Sequence, residues 1–222
     1  MAALLSRAEN GEELQAPAFP AADVRVVGVT GSAGAGKSTL LAALIGHLRR
    51  RGSTVAVLAC DPQSPVTGGA LLGDRIRVKF DPQDEGVFFR SLSTRGAPGG
   101  ISRAVGPAVH LLGGFGFDVV LVETVGIGQD QVDARHVVDT LVLLLTPNTG
   151  DQVQWEKAGV LEVADIIVVN KADLPGADRL RQQVTDCSSL GHGPTVPVLE
   201  VVATTGQGVE ELWRAIEKPA AR

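Results

Sequence analysis

Gly31-Ser32-Ala33-Gly34-Ala35-Gly36-Lys37-Ser38 decides how this chain is read. It fills every fixed position of the phosphate-loop pattern G-x-x-x-x-G-K-[ST]. Its flanks suit that pattern. Val24 to Thr30 (VRVVGVT) is a short, β-branched, apolar run and predicts a buried strand, and Leu40 to Leu48 (LLAALIGHL) predicts a helix. Strand, glycine loop and helix together let consecutive backbone N–H groups turn inward around a triphosphate. The helix N-terminus adds its partial positive charge. In that reading Gly34, Ala35, Gly36, Lys37, Ser38 and Thr39 form the phosphate-facing set. Lys37 reaches the β- and γ-phosphates and Ser38 ligates Mg²⁺.

The remaining runs alternate strand-like and helix-like segments. Thr54 to Cys60, Gly86 to Leu92, Phe117 to Val122, Thr140 to Leu145, Asp165 to Val169 and Val196 to Val202 read as strands. Helices are expected over Ile101 to Leu112, Gly150 to Val163, Pro175 to about Leu190, and Val209 to Ile216. Gly106-Pro107 should kink the first of these or mark its true start. This alternation predicts a three-layer α/β/α fold with a mainly parallel sheet. The expected organisation is a flexible or short helical leader over 1–22, a nucleotide-binding domain over 23–218 and a tail over 219–222.

Composition narrows the function classes. The chain has 222 residues, a net charge of -5, two cysteines without C-x-x-C spacing and four scattered histidines. An acidic chain gives no reason to expect a nucleic-acid partner. The basic run Arg49-Arg50-Arg51 sits at a helix end, where it meets the dipole. No run approaches the roughly 18 to 20 apolar residues that span a bilayer. The cysteine usage fits a reducing, cytoplasmic compartment.

Three further stretches carry chemistry. Asp61 ends an apolar strand, where doubly wound sheets place their ligands, and Asp74 lies a little beyond it. Glu123 ends another strand and is followed by Thr124-Val125-Gly126. That order is the second half of a phosphate-loop NTPase site: Glu123 holds Mg²⁺ directly or through water, and the Gly126 N–H meets the γ-phosphate. Asn170-Lys171-Ala172-Asp173 then matches N-K-x-D at a strand end. The Asp173 carboxylate would accept from the ring N–H and exocyclic amine of guanine, a donor pair that adenine lacks. Asn170 braces the loop, and the Lys171 stem covers the base. Ala203 and Thr204 lie where guanine-binding proteins offer a backbone N–H to the base carbonyl. The order of the three motifs points to a GTPase that binds GTP, GDP and Mg²⁺.

From Val26 to about Asp173 the sequence resembles the MeaB/ArgK group of P-loop GTPases. The resemblance rests on Asp61-Pro62 with Ser64, Thr67-Gly68-Gly69, Leu72-Gly73-Asp74, Gly99-Gly100 and Phe117 to Gly128 with Gln129. Gly150-Asp151 with Gln154 and Lys157, and Ala164-Asp165 before NKAD, complete it. It implies a chaperone of methylmalonyl-CoA mutase or a related adenosylcobalamin-dependent acyl-CoA mutase. It also implies that Asp61 and Asp74 belong to a first switch that organises metal and water. Glu123 takes the place of the Mg²⁺-site glutamate, and residues near Gln129 match a second switch. Gly150 to Gly159 matches a third mobile segment. Gln152 stands there where the family commonly has an acid, and Lys157 is followed by Ala158 rather than a second lysine, which leaves a rewired relay and a different client both open. Family members carry a C-terminal dimerisation arm and a longer helical N-terminus that are not evident here, which leaves a monomer and a homodimer through another face both open. Two alternatives of other classes are a nickel-inserting metallochaperone GTPase and a small-molecule kinase. The lack of a His-rich tract argues against the first and NKAD against the second.

Overall fold

Strand-length runs of Val, Ile and Leu with no polar alternation can be buried only between two helical layers. That arrangement appears in the computed structural model, which describes residues 1–9, 24–61, 78–93, 104–124, 135–147, 163–190 and 196–218. In chain order the elements are α1 (Ala2–Glu9), β1 (Arg25–Gly31), α2 (Lys37–Arg50), β2 (Val55–Asp61), β3 (Val87–Ser93), α3 (Val105–Gly114) and β4 (Val119–Glu123). β5 (Thr140–Leu145), β6 (Ile166–Asn170), α4 (Ala177–Leu190), β7 (Val198–Val201) and α5 (Val209–Glu217) follow.

The strands form one sheet in the order β3-β2-β4-β1-β5-β6-β7. Every ladder between these strands is parallel. β1 sits at the centre, with Val29 opposite Glu123 of β4 and Gly31 opposite Leu144 of β5. The carboxyl ends of β1, β4, β6 and β7 therefore open on one rim of the sheet, where a parallel sheet binds its ligands.

Each face is covered by helices with an apolar stripe. Leu40, Leu41, Leu44, Ile45 and Leu48 of α2 are buried, as are Val209, Leu212, Trp213 and Ile216 of α5. The spacing of three and four residues puts each set on one helical face. Both pack against Val27, Val29, Val57, Leu121, Val142 and Val168 of the sheet. On the other face α3 packs Val105, Ala108, Leu111 and Leu112 against Val120, Val122 and Leu141. α4 covers Leu143, Ile167 and Val169 there with Leu180 and Val184. Removal of one such leucine side chain from water is worth about 1.5–3 kcal/mol, so Leu212→Asp would strip α5 from the sheet.

The leader and the strand ends add detail to the sequence reading. Ala2–Glu9 of the leader is a packed helix: Leu5 is fully buried with α3 residues, and Ser6 Oγ accepts a 3.0 Å hydrogen bond from Arg90 Nη2 of β3. Five strands run one residue past the apolar run, to Gly31, Asp61, Ser93, Glu123 and Asn170. Ladder pairing uses the backbone, so a polar side chain at the rim does not end it. Gly106-Pro107 lies in the first turn of α3, where proline needs no N–H partner.

Candidate functional site

β1 ends at Gly31, and Ser32 to Gly36 turn the chain into α2. Gly34 and Gly36 both have left-handed backbones, at φ 81° and 92°. A Cβ at Gly36 would lie 2.5 Å from Asn170 Nδ2, so glycine is required there twice over. No side chain caps α2, which leaves its first N–H groups for an anion. Lys37 Nζ donates to the Gly31 carbonyl at 2.9 Å and to the Ser32 carbonyl at 3.2 Å, which holds the ammonium over the loop.

The adjacency of β1 and β4 brings Glu123 beside the start of α2. Ser38 Oγ donates to Glu123 Oε1 at 3.2 Å, and Glu123 is buried. A hydroxyl paired with a carboxylate is a hard-oxygen donor set. It suits Mg²⁺, which takes one or two protein oxygens and fills its octahedron with phosphate and water. No group of three or more His, Cys, Asp or Glu side chains suited to a metal occurs among the described residues. β2 lies next to β4 and carries Asp61 at its end, paired through its backbone with Ser93. The Asp61 side chain, Asp74, Gly126, Gln129 and Gly150 to Gly159 lie outside the described residues.

The far end of the site is built by the carboxyl ends of β6 and β7. Asn170 is 1% exposed, and both ends of its amide are used. Nδ2 donates to the Ala35 carbonyl at 2.8 Å, and Oδ1 accepts from the Ala203 N–H at 3.4 Å. This side chain thus ties the phosphate loop to the turn after β7. Lys171 has φ 56°, a left-handed conformation uncommon outside glycine, and its Nζ donates to the Gly34 carbonyl at 2.9 Å. The stem is thereby laid along a cavity of about 190 Å³ lined by Gly36, Thr39, Asp173, Ala203 and Thr204, with Asn170 and Lys171. Seven residues singled out in the sequence therefore converge on one cavity. Leu174 and Val202 also line it and were not singled out. Their signal was positional: each directly follows a site strand or motif.

Displaced protonation occurs away from this cavity. Asp84 accepts two hydrogen bonds from the Arg49 guanidinium, at 2.9 and 2.8 Å, and one from the Gly86 N–H at 2.9 Å. Arg49 first, then the Gly86 N–H, hold its carboxyl below the usual carboxylate range. Burial, with Arg51 and Arg50 nearby, pushes the His47 imidazole down.

Comparison with known proteins bears on this geometry. The profile of the family described as "Methylmalonyl Co-A mutase-associated GTPase MeaB" matches residues 6–221. A Pyrococcus horikoshii protein described as "Putative GTPase" is 50% identical over 202 residues, covering 88% of this chain and 64% of its own length. The mouse mitochondrial homolog of methylmalonic aciduria type A protein is 37% identical over 194 residues, covering 84% of this chain and 47% of its own. Among solved structures, the LAO/AO transport system kinase superposes with a TM-score of 0.70 at 28% identity, over 96% of this chain and 68% of that one. The chain thus spans somewhat under two thirds of the archaeal relative and about half of the mouse one.

Proposed function

The chain belongs to the MeaB family of methylmalonyl-CoA mutase-associated GTPases, and on that premise we propose that it binds GTP and GDP with Mg²⁺ and hydrolyses GTP. In this reading, hydrolysis gates the loading or protection of adenosylcobalamin in an acyl-CoA mutase such as methylmalonyl-CoA mutase. The observation that carries nucleotide binding is the Asn170 amide, which spans from the Ala35 carbonyl to the Ala203 N–H and joins the phosphate loop to the guanine end. The family match over residues 6–221 supports the mutase client.

The residues divide the work. Backbone N–H groups of the phosphate loop and the start of α2, with the Lys37 ammonium, would stabilise charge on the transferred phosphoryl group. Ser38 and Glu123 would hold Mg²⁺, with Asp61 and Asp74 as further oxygens from the first switch. The bound ion supplies charge neutralisation at the phosphates. Asp173 selects guanine by accepting from its ring N–H and amine. Lys171 and Leu174 shield the base from water. The second and third switch segments, around Gln129 and over Gly150 to Gly159, would relay nucleotide state to the client.

The test is GTP turnover by the protein and by Lys37→Ala, alone and with a purified adenosylcobalamin-dependent acyl-CoA mutase. Stimulation by the mutase, lost in Lys37→Ala, is expected. Turnover indifferent to every such mutase overturns the client assignment, and phosphate transfer to a small-molecule acceptor instead of water overturns the hydrolase.

A further inference from the structure

The turn after β7 spends its donors in an uneven way. The Val202 carbonyl accepts three hydrogen bonds, from the Thr205 N–H at 3.1 Å, the Gly206 N–H at 3.0 Å and the Thr205 hydroxyl at 3.2 Å. The same hydroxyl accepts the Gln207 N–H at 3.4 Å. The Val202 N–H closes the turn on the Gln207 carbonyl at 3.0 Å. The N–H groups of residues 205, 206 and 207 are all consumed inside the turn. The Ala203 N–H is held only by the long contact to Asn170, and the Thr204 N–H has no acceptor among the described residues. Both residues line the base cavity.

Thr205 itself does not line that cavity. It lines a separate one of about 350 Å³ behind the turn, between α2 and the start of α5, with Ala42, Ala43, Gly46, His47 and Arg50. It can therefore affect the base through the turn but not by touching it. The turn is otherwise poorly restrained from outside, since Thr204 to Gln207 are exposed.

We propose that Thr205 is the positioning residue that aims the Ala203 and Thr204 N–H groups at the O6 carbonyl of guanine. Its hydroxyl bridges the two arms of the turn and holds the Val202 carbonyl, which fixes the plane of the peptide that carries the Ala203 N–H and sets the start of the one that carries the Thr204 N–H. This inference rests on the reading above that the cavity takes guanine. Thr205→Val keeps the shape and removes both hydroxyl hydrogen bonds. Thr205→Ser keeps them.

The experiment measures dissociation constants of the whole chain for GDP, 6-thio-GDP and IDP. 6-Thio-GDP replaces O6 by a weaker acceptor and keeps both donors that face Asp173. IDP keeps O6 and loses the amine. Thr205→Val is expected to shrink the preference for GDP over 6-thio-GDP, the 6-thio-GDP dissociation constant divided by that of GDP, by about three- to tenfold, the range of one lost hydrogen bond. The GDP to IDP ratio stays at its wild-type value, and Thr205→Ser restores the first ratio. Equal weakening of GDP and 6-thio-GDP would show a merely structural hydroxyl and overturn the proposal, as would an unchanged ratio. A wild-type protein that distinguishes neither analogue from GDP overturns the guanine reading itself, and the inference falls with it.

Discussion

Replacement of Asn170 by aspartate exchanges one NH2 group for an oxygen and changes almost no volume, so it isolates the amide's donor. In the native site Nδ2 donates to the Ala35 carbonyl at 2.8 Å, with Asn170 1% exposed and Ala35 fully buried. In Asn170→Asp an acceptor faces that carbonyl. A buried acceptor left without its donor costs about 1–3 kcal/mol. Burial of a carboxylate against a carbonyl adds to this until the group protonates, which pushes its pKa up. The sum is about 3 kcal/mol near neutral pH, or roughly 150-fold weaker GDP binding. The sign of the pH dependence follows from the raised pKa. Once protonated, the introduced carboxyl regains an O–H donor, so affinity should recover as pH falls through that pKa, whereas Asn170→Ala should show no such recovery. Isothermal titration of GDP into both variants across pH 5 to 8 decides the matter, with the range set by about 1–3 units of upward shift from an ordinary carboxylate. Wild-type affinity in Asn170→Asp at pH 8, or identical pH profiles for the aspartate and alanine variants, would refute the role given to this hydrogen bond.

Three further outcomes are expected. Asp173→Asn should exchange guanine for xanthine preference, read as the ratio of GDP to XDP dissociation constants, because the amide can donate to the xanthine 2-oxo group. Asp84→Asn should lower the melting temperature at neutral pH. The Asp84 pKa is depressed in the folded state, so its contribution is present above an ordinary carboxylate pKa of about 4 and is lost as pH falls through the folded value; the gap between variant and wild type should therefore close on acidification. Gly208→Ala should destabilise the chain by about 2–4 kcal/mol in urea unfolding, since Gly208 has φ 78° and an added Cβ would lie 2.2 Å from the Glu200 carbonyl oxygen.

The elements were legible because buried parallel strands announce themselves as apolar runs. Thr140 to Leu145 coincides with β5 at both ends, since a helix layer covers each of its faces. The reading failed by one residue at Gly31, Asp61, Ser93, Glu123 and Asn170, where the apolar run stops and the ladder does not. Strand order could not be read, because nothing local in β4 says that it separates β1 from β2. Of the residues that line the cavity, the polar ones, Asn170, Lys171 and Asp173, were legible because they stand at the spacing of one short motif. Leu174 and Val202 were not, because an apolar residue beside a strand looks like core until a cavity shows what it faces. The Thr205 hydroxyl was hidden for a different reason: its two partners depend on how the turn closes on itself, which no spacing encodes.

The left-handed backbone of Lys171 has a further consequence. A side chain held at φ 56° costs about 1–2 kcal/mol relative to glycine at the same place. The residue is nevertheless the one whose stem lines the base cavity and whose ammonium reaches the Gly34 carbonyl. Folding and ligand binding therefore make opposite demands on a single position. Lys171→Gly should melt at a higher temperature in the absence of nucleotide and gain less than wild type when GDP is added, so the two melting curves cross as ligand is titrated. A screen for heat-resistant variants would select against the function at this position.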